Sequence, residues 1–324
     1  MNKIVILGHG VGVKFVIESL IKSKINYKVV ALVTHPLNDH KYDLDLMKNR
    51  KSLFGKYAYD VFNVDSDYNI KILQSKNVND KETVKWIKKF SPSYIVSIGC
   101  RNILKPPFLN EFRNKVLNIH TTPLPFYRGA ANDSWMILND ELGKKKYGCL
   151  HYIDKGIDTG PIISKSFYTL PKKAYPIDIF KSRMNVFHDV LVKGLNNLEN
   201  NNFKPEPQDN SKSTTFPRLF TPVDGKIKFD LFSGKEIELF VYAFGYPYEG
   251  AHVFFEETRI NLLKVKFYKN LNFHSYANGL IFGKNNNGEY KVSVKGGYLI
   301  IKEVEINGKK ISQKTIFRLG KYLK

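Results

Sequence analysis

The sequence predicts an α/β fold: a mainly parallel, Rossmann-like sheet at the N-terminus and a smaller OB-like β-domain at the C-terminus. Three observations lead there. Short apolar runs alternate with helical patterns over the first 200 residues. A stretch rich in Pro, Asn and Ser, NNFKPEPQDNSKSTTFPRLF, then covers 201–220. Beyond it, short strands recur between Gly and Asn turns. The expected organisation is therefore an α/β domain at 1–200, a linker at 201–220 and a β-domain at 221–324.

Taken in order, KIVILG (3–8) reads as a short buried strand, followed by a Gly-rich turn at 8–12 and an amphipathic helix to about Ile21. VVALVT (29–34) is a second strand, 35–57 is polar and irregular, and YDVFNV (59–64) has strand character. Val84, Ile87 and Lys88 set a helix over 78–91. SYIVSIG (93–99), KVLNIH (115–120) and YGCLHYID (147–154) are further buried strands, and a long helix runs from about 175 to 198. In the last third, a helix at 234–244 precedes strands at 251–256, 259–267, 278–283, 289–294 and 297–304.

Composition narrows the function classes. At 324 residues, 43% apolar and 14% aromatic, the chain has material for packed cores, which excludes disorder as its overall state. Cys100 and Cys149 form no CxxC and read as small buried hydrophobes in a reducing compartment. The N-terminus enters a strand without a signal-peptide pattern, and no apolar run approaches the ~18 residues of a membrane span. A cytoplasmic protein with no membrane partner is expected. The net charge of +21 suits a phosphate-bearing partner. Yet residues 225–324 hold 17 Lys and Arg against 9 Asp and Glu, so the excess is spread along the chain, as heavy lysine usage would also give.

Two tempting motifs carry little. GHGVG (8–12) follows a strand and opens a helix, as a dinucleotide fingerprint would. The second strand, however, ends on Thr34 and His35 where a ribose-binding acid should stand, so the glycines read as a tight turn. His35, Asp39, His40 and Asp43 match no usual metal spacing, and no metal is expected.

VLNIH (116–120) is different. Strand alternation puts Asn118 and His120 on one face, where the strand gives way to the turn TTPLP. Downstream, HYIDKGIDTGPII sets Asp154 and Asp158 around a glycine turn between two apolar strands, within reach of His120. A histidine, a carboxylate and an amide donor suit acyl transfer, in the roles of base, orienting acid and oxyanion stabiliser. No Ser, Thr or Cys stands as an obvious nucleophile, so the substrate's own amine would attack.

NIHTTPLPFYRGAA followed by IDKGIDTGPII resembles the N10-formyltetrahydrofolate-dependent formyltransferase family. QDNSKSTTFPRLFTPVDGKIKFD, AFGYPYEGAHV and ISQKTIFRLGKYLK resemble the linker, β-domain and tail of its two-domain members. The resemblance implies that Asn118 stabilises the oxyanion, that His120 is the general base and acid, and that Asp158 holds His120. It implies a folate pocket at Asn102, Ile103 and Leu104, the loop Thr122, Pro123, Leu124 and Pro125, and the turn Asp154, Lys155, Gly156, Ile157 and Asp158. The loop departs from the family's Ser-Leu-Leu-Pro at Thr122 and Pro123. The formyl donor would be N10-formyltetrahydrofolate, and a homodimer would be common for the family.

For the acceptor amine, the segment THPLNDHKYDLDL (34–46) lacks the arginines that family members acting on methionyl-tRNA carry after the second strand. RLFTPVDGKI (218–227) resembles a step in the formyltransferase domain that modifies amino-arabinose. The expected acceptor is a nucleotide-linked amino sugar, with methionyl-tRNA as the alternative. A non-enzymatic RNA-binding protein would use the aromatic and lysine alternation at 253–269, but it leaves Asn118, His120 and Asp158 without a purpose.

Overall fold

The computed structural model describes residues 1–36, 61, 68–269 and 273–324. The expected strand at 59–64 lies, apart from Val61, outside the described residues, as does most of the polar stretch at 35–57 with Asp39, His40 and Asp43.

The first elements are β1 (Asn2–Gly8), α1 (Val11–Ser23), β2 (Tyr27–Thr34), β3 (Lys71–Gln74), α2 (Lys81–Lys88), β4 (Tyr94–Ile98), α3 (Pro106–Glu111) and β5 (Val116–His120). Then come β6 (Arg128–Gly129), α4 (Asn132–Leu138), β7 (Lys145–Tyr152), β8 (Ile162–Thr169), α5 (Pro176–Ser182), α6 (Met184–Glu199) and β9 (Thr215–Phe216). Among the described residues one sheet runs β3-β2-β1-β4-β5-β7-β8. Its first five strands are parallel, and β7 and β8 join antiparallel. Both faces of the central strands are covered, which is why β1 and β4 are apolar without alternation. Val5 and Leu7 join Ile87 of α2, Phe108 of α3 and Phe112 just after it in one core cluster. Ile4 and Ile6, pointing the other way, are fully buried as well. The Gly-rich turn has a packing reason: a Cβ on Gly8 would stand 2.1 Å from the Ile98 carbonyl oxygen, and one on Gly12 would stand 2.7 Å from the Ile98 side chain.

The long helix expected over 175–198 is two helices, because Arg183 leaves helical geometry at φ −119°, ψ 17°. The break has a cause in the packing. The chain forms two compact units: Met1–Gly129, Lys145–Thr169 and Ser182–Phe216 make one, and Ala130–Lys144, Leu170–Lys181 and Pro217–Lys324 the other. α5 thus packs with the second unit and α6 with the first. Residues 201–216 of the expected linker stay with the first unit.

In the second unit, α7 (Thr221–Asp224) and α8 (Gly234–Ala243) precede β10 (Ala251–Phe255), β11 (Thr258–Lys269), β12 (Ile281–Lys284), β13 (Tyr290–Val294), β14 (Gly297–Ile306), β15 (Lys309–Ile311) and α9 (Gln313–Ile316). The antiparallel order is β10-β11-β14-β13-β12, with β15 on β14. The chain end closes this sheet on itself. Lys324 exchanges backbone hydrogen bonds with Phe254 of β10 at 2.6 and 2.8 Å, while Leu323 N donates to Gly279 O at 2.9 Å and Ile281 N to Lys321 O at 2.9 Å. The expected barrel-like β-domain is therefore built from its five anticipated strands, β15 and the tail. α8 starts on a capping box between Ser233 and Glu236.

Candidate active site

Asn118 and His120 end β5, and the register with antiparallel β7 sets His151 directly opposite Asn118 and Cys149 opposite His120. The β7–β8 turn brings Asp158 back over them in a left-handed conformation, φ 52°. The result is one hydrogen-bonded knot. Asp158 Oδ2 lies 3.6 Å from His120 Nδ1, and Oδ1 lies 3.6 Å from His151 Nε2. Asn118 Nδ2 donates to Asp158 Oδ1 at 3.4 Å, and Gly129 N donates to Oδ2 at 2.9 Å.

The tautomers follow from the partners. His120 Nε2 is 2.6 Å from the Tyr127 carbonyl oxygen, which can only accept, so Nε2 carries the proton and Nδ1 is the basic atom. Thr122 Oγ1, 2.9 Å from the same Nε2, supports that orientation. His151 Nδ1 donates to Tyr152 O at 2.7 Å, which leaves its Nε2 to accept from Asn118 Nδ2 at 3.1 Å.

Burial holds His120 below the ordinary histidine value, and the Asp158 charge only partly offsets that, so the ring is a neutral base. For Asp158, burial pushes upward, but the His120 and His151 rings and the Gly129 N–H outweigh it and hold the carboxyl well below its usual range. Cys149 is fully buried, and burial drives its thiol upward, away from any nucleophilic role.

His120, His151 and Asp158 place ligand-type atoms within 4.8 Å of one another, a set a metal could use. Here the Asn118 amide nitrogen donates to both His151 Nε2 and Asp158 Oδ1, and so occupies the one lone pair that His151 would offer a metal.

The remaining singled-out residues divide. Thr122 is buried beside His120, and Leu124, 1% exposed, packs with Cys149 and Ile162. Pro123 is buried, and the Pro125 carbonyl accepts from Thr214 N at 3.1 Å. Asn102 is used structurally: its Oδ1 accepts from Val78 N at 3.1 Å and its Nδ2 donates to Lys76 O at 3.2 Å. Leu104 belongs to the core cluster, whereas Ile103 stands 68% exposed. In the turn, Asp154 accepts from Gly156 N and from Thr159 Oγ1, so it shapes the loop, with Lys155 exposed, Gly156 half-buried and Ile157 48% exposed. Sequence reasoning does not find His151, since its nearness to Asn118 depends on a strand register that spacing does not reveal.

A family model described as formyl transferase matches residues 2–178, and one described as formyl transferase, C-terminal domain, matches 220–320. The chain belongs to the formyl transferase family. Curated relatives of this formyltransferase include the methionyl-tRNA formyltransferase of Clostridium acetobutylicum, 28% identical over 312 residues, which are 96% of this chain and 94% of that protein. The enzyme of that name from Clostridioides difficile is 27% identical over 286 residues, 88% of this chain and 86% of that one. Among solved structures, the N-formyltransferase from Helicobacter canadensis, in complex with folinic acid and dTDP-3-aminofucose, aligns with a TM-score of 0.63 at 20% identity, over 93% of this chain and 99% of that one. WlaRD, a sugar 3N-formyl transferase with dTDP and 5-N-formyl-THF, gives 0.61 at 21% identity, over 95% and 99%. These likenesses bear out the α/β fold with its separate β-domain, and the family match makes this chain a formyl-transferring enzyme. Among the described residues no helix is long and apolar enough to cross a membrane.

Proposed function

We propose that this formyltransferase moves the formyl group of N10-formyltetrahydrofolate to the amine of a nucleotide-linked amino sugar. The observation that carries the chemistry is His120, neutral by burial, with Nε2–H tied to Tyr127 and Nδ1 turned toward Asp158. In this reading the amine nitrogen attacks the formyl carbon and the carbonyl π pair moves to oxygen. Asn118 Nδ2 keeps its bond to His151 and turns its other N–H, which rests on Asp158 Oδ1 at 3.4 Å, to that oxyanion. His120 Nδ1 takes the proton lost by the attacking amine, and Asp158 stabilises the imidazolium. The proton then passes to N10 as the carbon–N10 bond breaks and the oxyanion collapses to the new formamide. Ile103 and Ile157, apolar and exposed, are side chains suited to covering the folate ring system.

Support for the sugar comes from the arginine-poor segment 34–46, from RLFTPVDGKI, and from structural neighbours solved with dTDP or a dTDP-linked amino sugar. The second reading, methionyl-tRNA formylation, is favoured by the names of relatives at 24–28% identity that align over 74–96% of this chain. The test is incubation with N10-formyltetrahydrofolate and a panel of nucleotide-linked amino sugars beside methionyl-tRNA. Formylation of a sugar is expected, together with weak tRNA binding that collapses with salt. Robust methionyl-tRNA turnover with no sugar turnover overturns the acceptor and leaves the formyl chemistry standing.

A further inference from the structure

The stretch 201–216 has the composition of a linker, yet much of it is stitched along the Asp158 turn. Glu206 and Ile162 exchange backbone hydrogen bonds at 2.8 Å each way, Arg128 N donates to Thr214 O at 3.0 Å, and β9 pairs with the Arg128–Gly129 step. That pairing is close enough to require glycine: Gly129 has φ 92°, and a Cβ there would stand 2.1 Å from Phe216 O. Gln208 is at the centre. Its Nε2 donates to Asp158 O at 2.8 Å and to Gly160 O at 2.7 Å. Its Oε1 accepts from Arg128 Nη2 at 2.8 Å and Nε at 3.2 Å, and Arg128 Nη2 also donates to Asn210 Oδ1 at 2.7 Å.

The partner chemistry leaves one solution. A guanidinium only donates and peptide carbonyls only accept, so the group between them must offer an acceptor on one side and donors on the other. A primary amide does this; a carboxylate, a thioether or a lysine does not. Arg128, 5% exposed, is thereby satisfied, and its backbone continues into the Gly129 N–H that binds Asp158 Oδ2. Asp158 is gripped twice, at its main-chain oxygen by Gln208 and at its carboxylate by Gly129. It needs gripping, because φ 52° is sparsely populated for a residue with a Cβ.

We infer that Gln208 is a positioning residue for the formyl-transfer site, locking Asp158 against His120 through the Arg128–Gln208–Asp158 bridge. The inference rests on the reading of Asp158 as the holder of His120, and its test needs no turnover. In the full-length chain, the His120 imidazole is titrated by NMR in wild type, Gln208→Met, Gln208→Asn and Asn210→Ala. The charged and titratable groups acting on His120 include Asp158, His151 and Arg183. Only the first of these raises its affinity for a proton. Loosening Asp158 therefore moves the His120 midpoint to lower pH in both Gln208 variants. Asn210→Ala, which spares the Asp158 bond, stays at the wild-type midpoint.

Gln208→Asn keeps an amide for Arg128 but cannot span to the two carbonyls, so it serves where Gln208→Met fails to fold. On an acceptor identified by the amine panel, kcat falls about 10–10²-fold in the Gln208 variants while KM stays within about threefold. Wild-type midpoints in the Gln208 variants, or an equal shift in Asn210→Ala, overturn the inference. Loss of activity in His120→Ala tests the functional reading separately.

Discussion

Two buried histidines, one in each compact unit, can be set side by side. His120 is 8% exposed at the carboxyl end of the parallel sheet, and His252 is 3% exposed on β10 of the antiparallel sheet. Burial is the first cause lowering both. They part in their neighbours. His120 Nδ1 faces the Asp158 carboxylate, and its other nitrogen is tied to a carbonyl. His252 feels Arg259 and Lys226, both cationic, which deepen the effect of burial and push it down to about 4. Its buried Nδ1 has no hydrogen-bond partner among the described residues. Burial alone keeps an imidazole neutral. A base must also be able to receive a proton, and that takes a carboxylate already in place.

The largest expected effect tests the first half of that contrast. His120→Ala, on an acceptor amine from the panel, loses about 10²–10⁴-fold in kcat, and Asn118→Ala about 10²–10³-fold through loss of the proposed oxyanion donor. Retention of more than a tenth of wild-type kcat by His120→Ala would break the comparison, since His120 would then be no more catalytic than His252.

Asp158→Asn sharpens it. The carboxylate raises the proton affinity of His120, so its removal lowers the His120 pKa further. Because the proposed mechanism uses neutral His120, the acid limb of the kcat–pH profile moves to lower pH while the plateau falls. A limb that stays in place would mean that Asp158 acts by shape alone.

The smallest effect concerns His252. Its folded pKa of about 4 lies below the ~6.5 of an unfolded histidine, so the unfolded chain binds more protons between those values. Stability is lost as pH falls from about 6.5 toward 4. His252→Leu removes this contribution, so its Tm declines less steeply over that window, with kcat unchanged at pH 7.5. Thermal scans across pH 4.5–7.5 check the first point and steady-state rates the second; a slope equal to wild type would show that the buried imidazole is solvated in the native state.

Much of the site is legible in the sequence because it lies within short stretches. Asn118 and His120 share a face through the two-residue period of a strand, and Asp158 sits in a turn marked by its glycines. His151 is not legible there. It meets Asn118 only because β7 runs antiparallel to β5 in one register, and a one-residue slip would turn it to the opposite face. Gln208 is hidden for a different reason: its surroundings are polar and rich in proline, the composition of a connector, and its four hydrogen bonds all go to residues 48 to 80 positions away.

Local pattern is enough to specify the α/β domain and the β-domain, the strand that ends on Asn118 and His120, and the glycine-bounded turn that supplies Asp158. These rest on periodicity and turn chemistry, which act over a few residues. Packing in three dimensions was needed to divide the 175–198 helix at Arg183, since α5 and α6 bury their apolar faces in different units. Packing also turned the chain end into the closing strand of the barrel and stitched residues 206–216 along the site. Those outcomes are set by which distant backbone groups can satisfy one another once buried, a condition that no local pattern encodes.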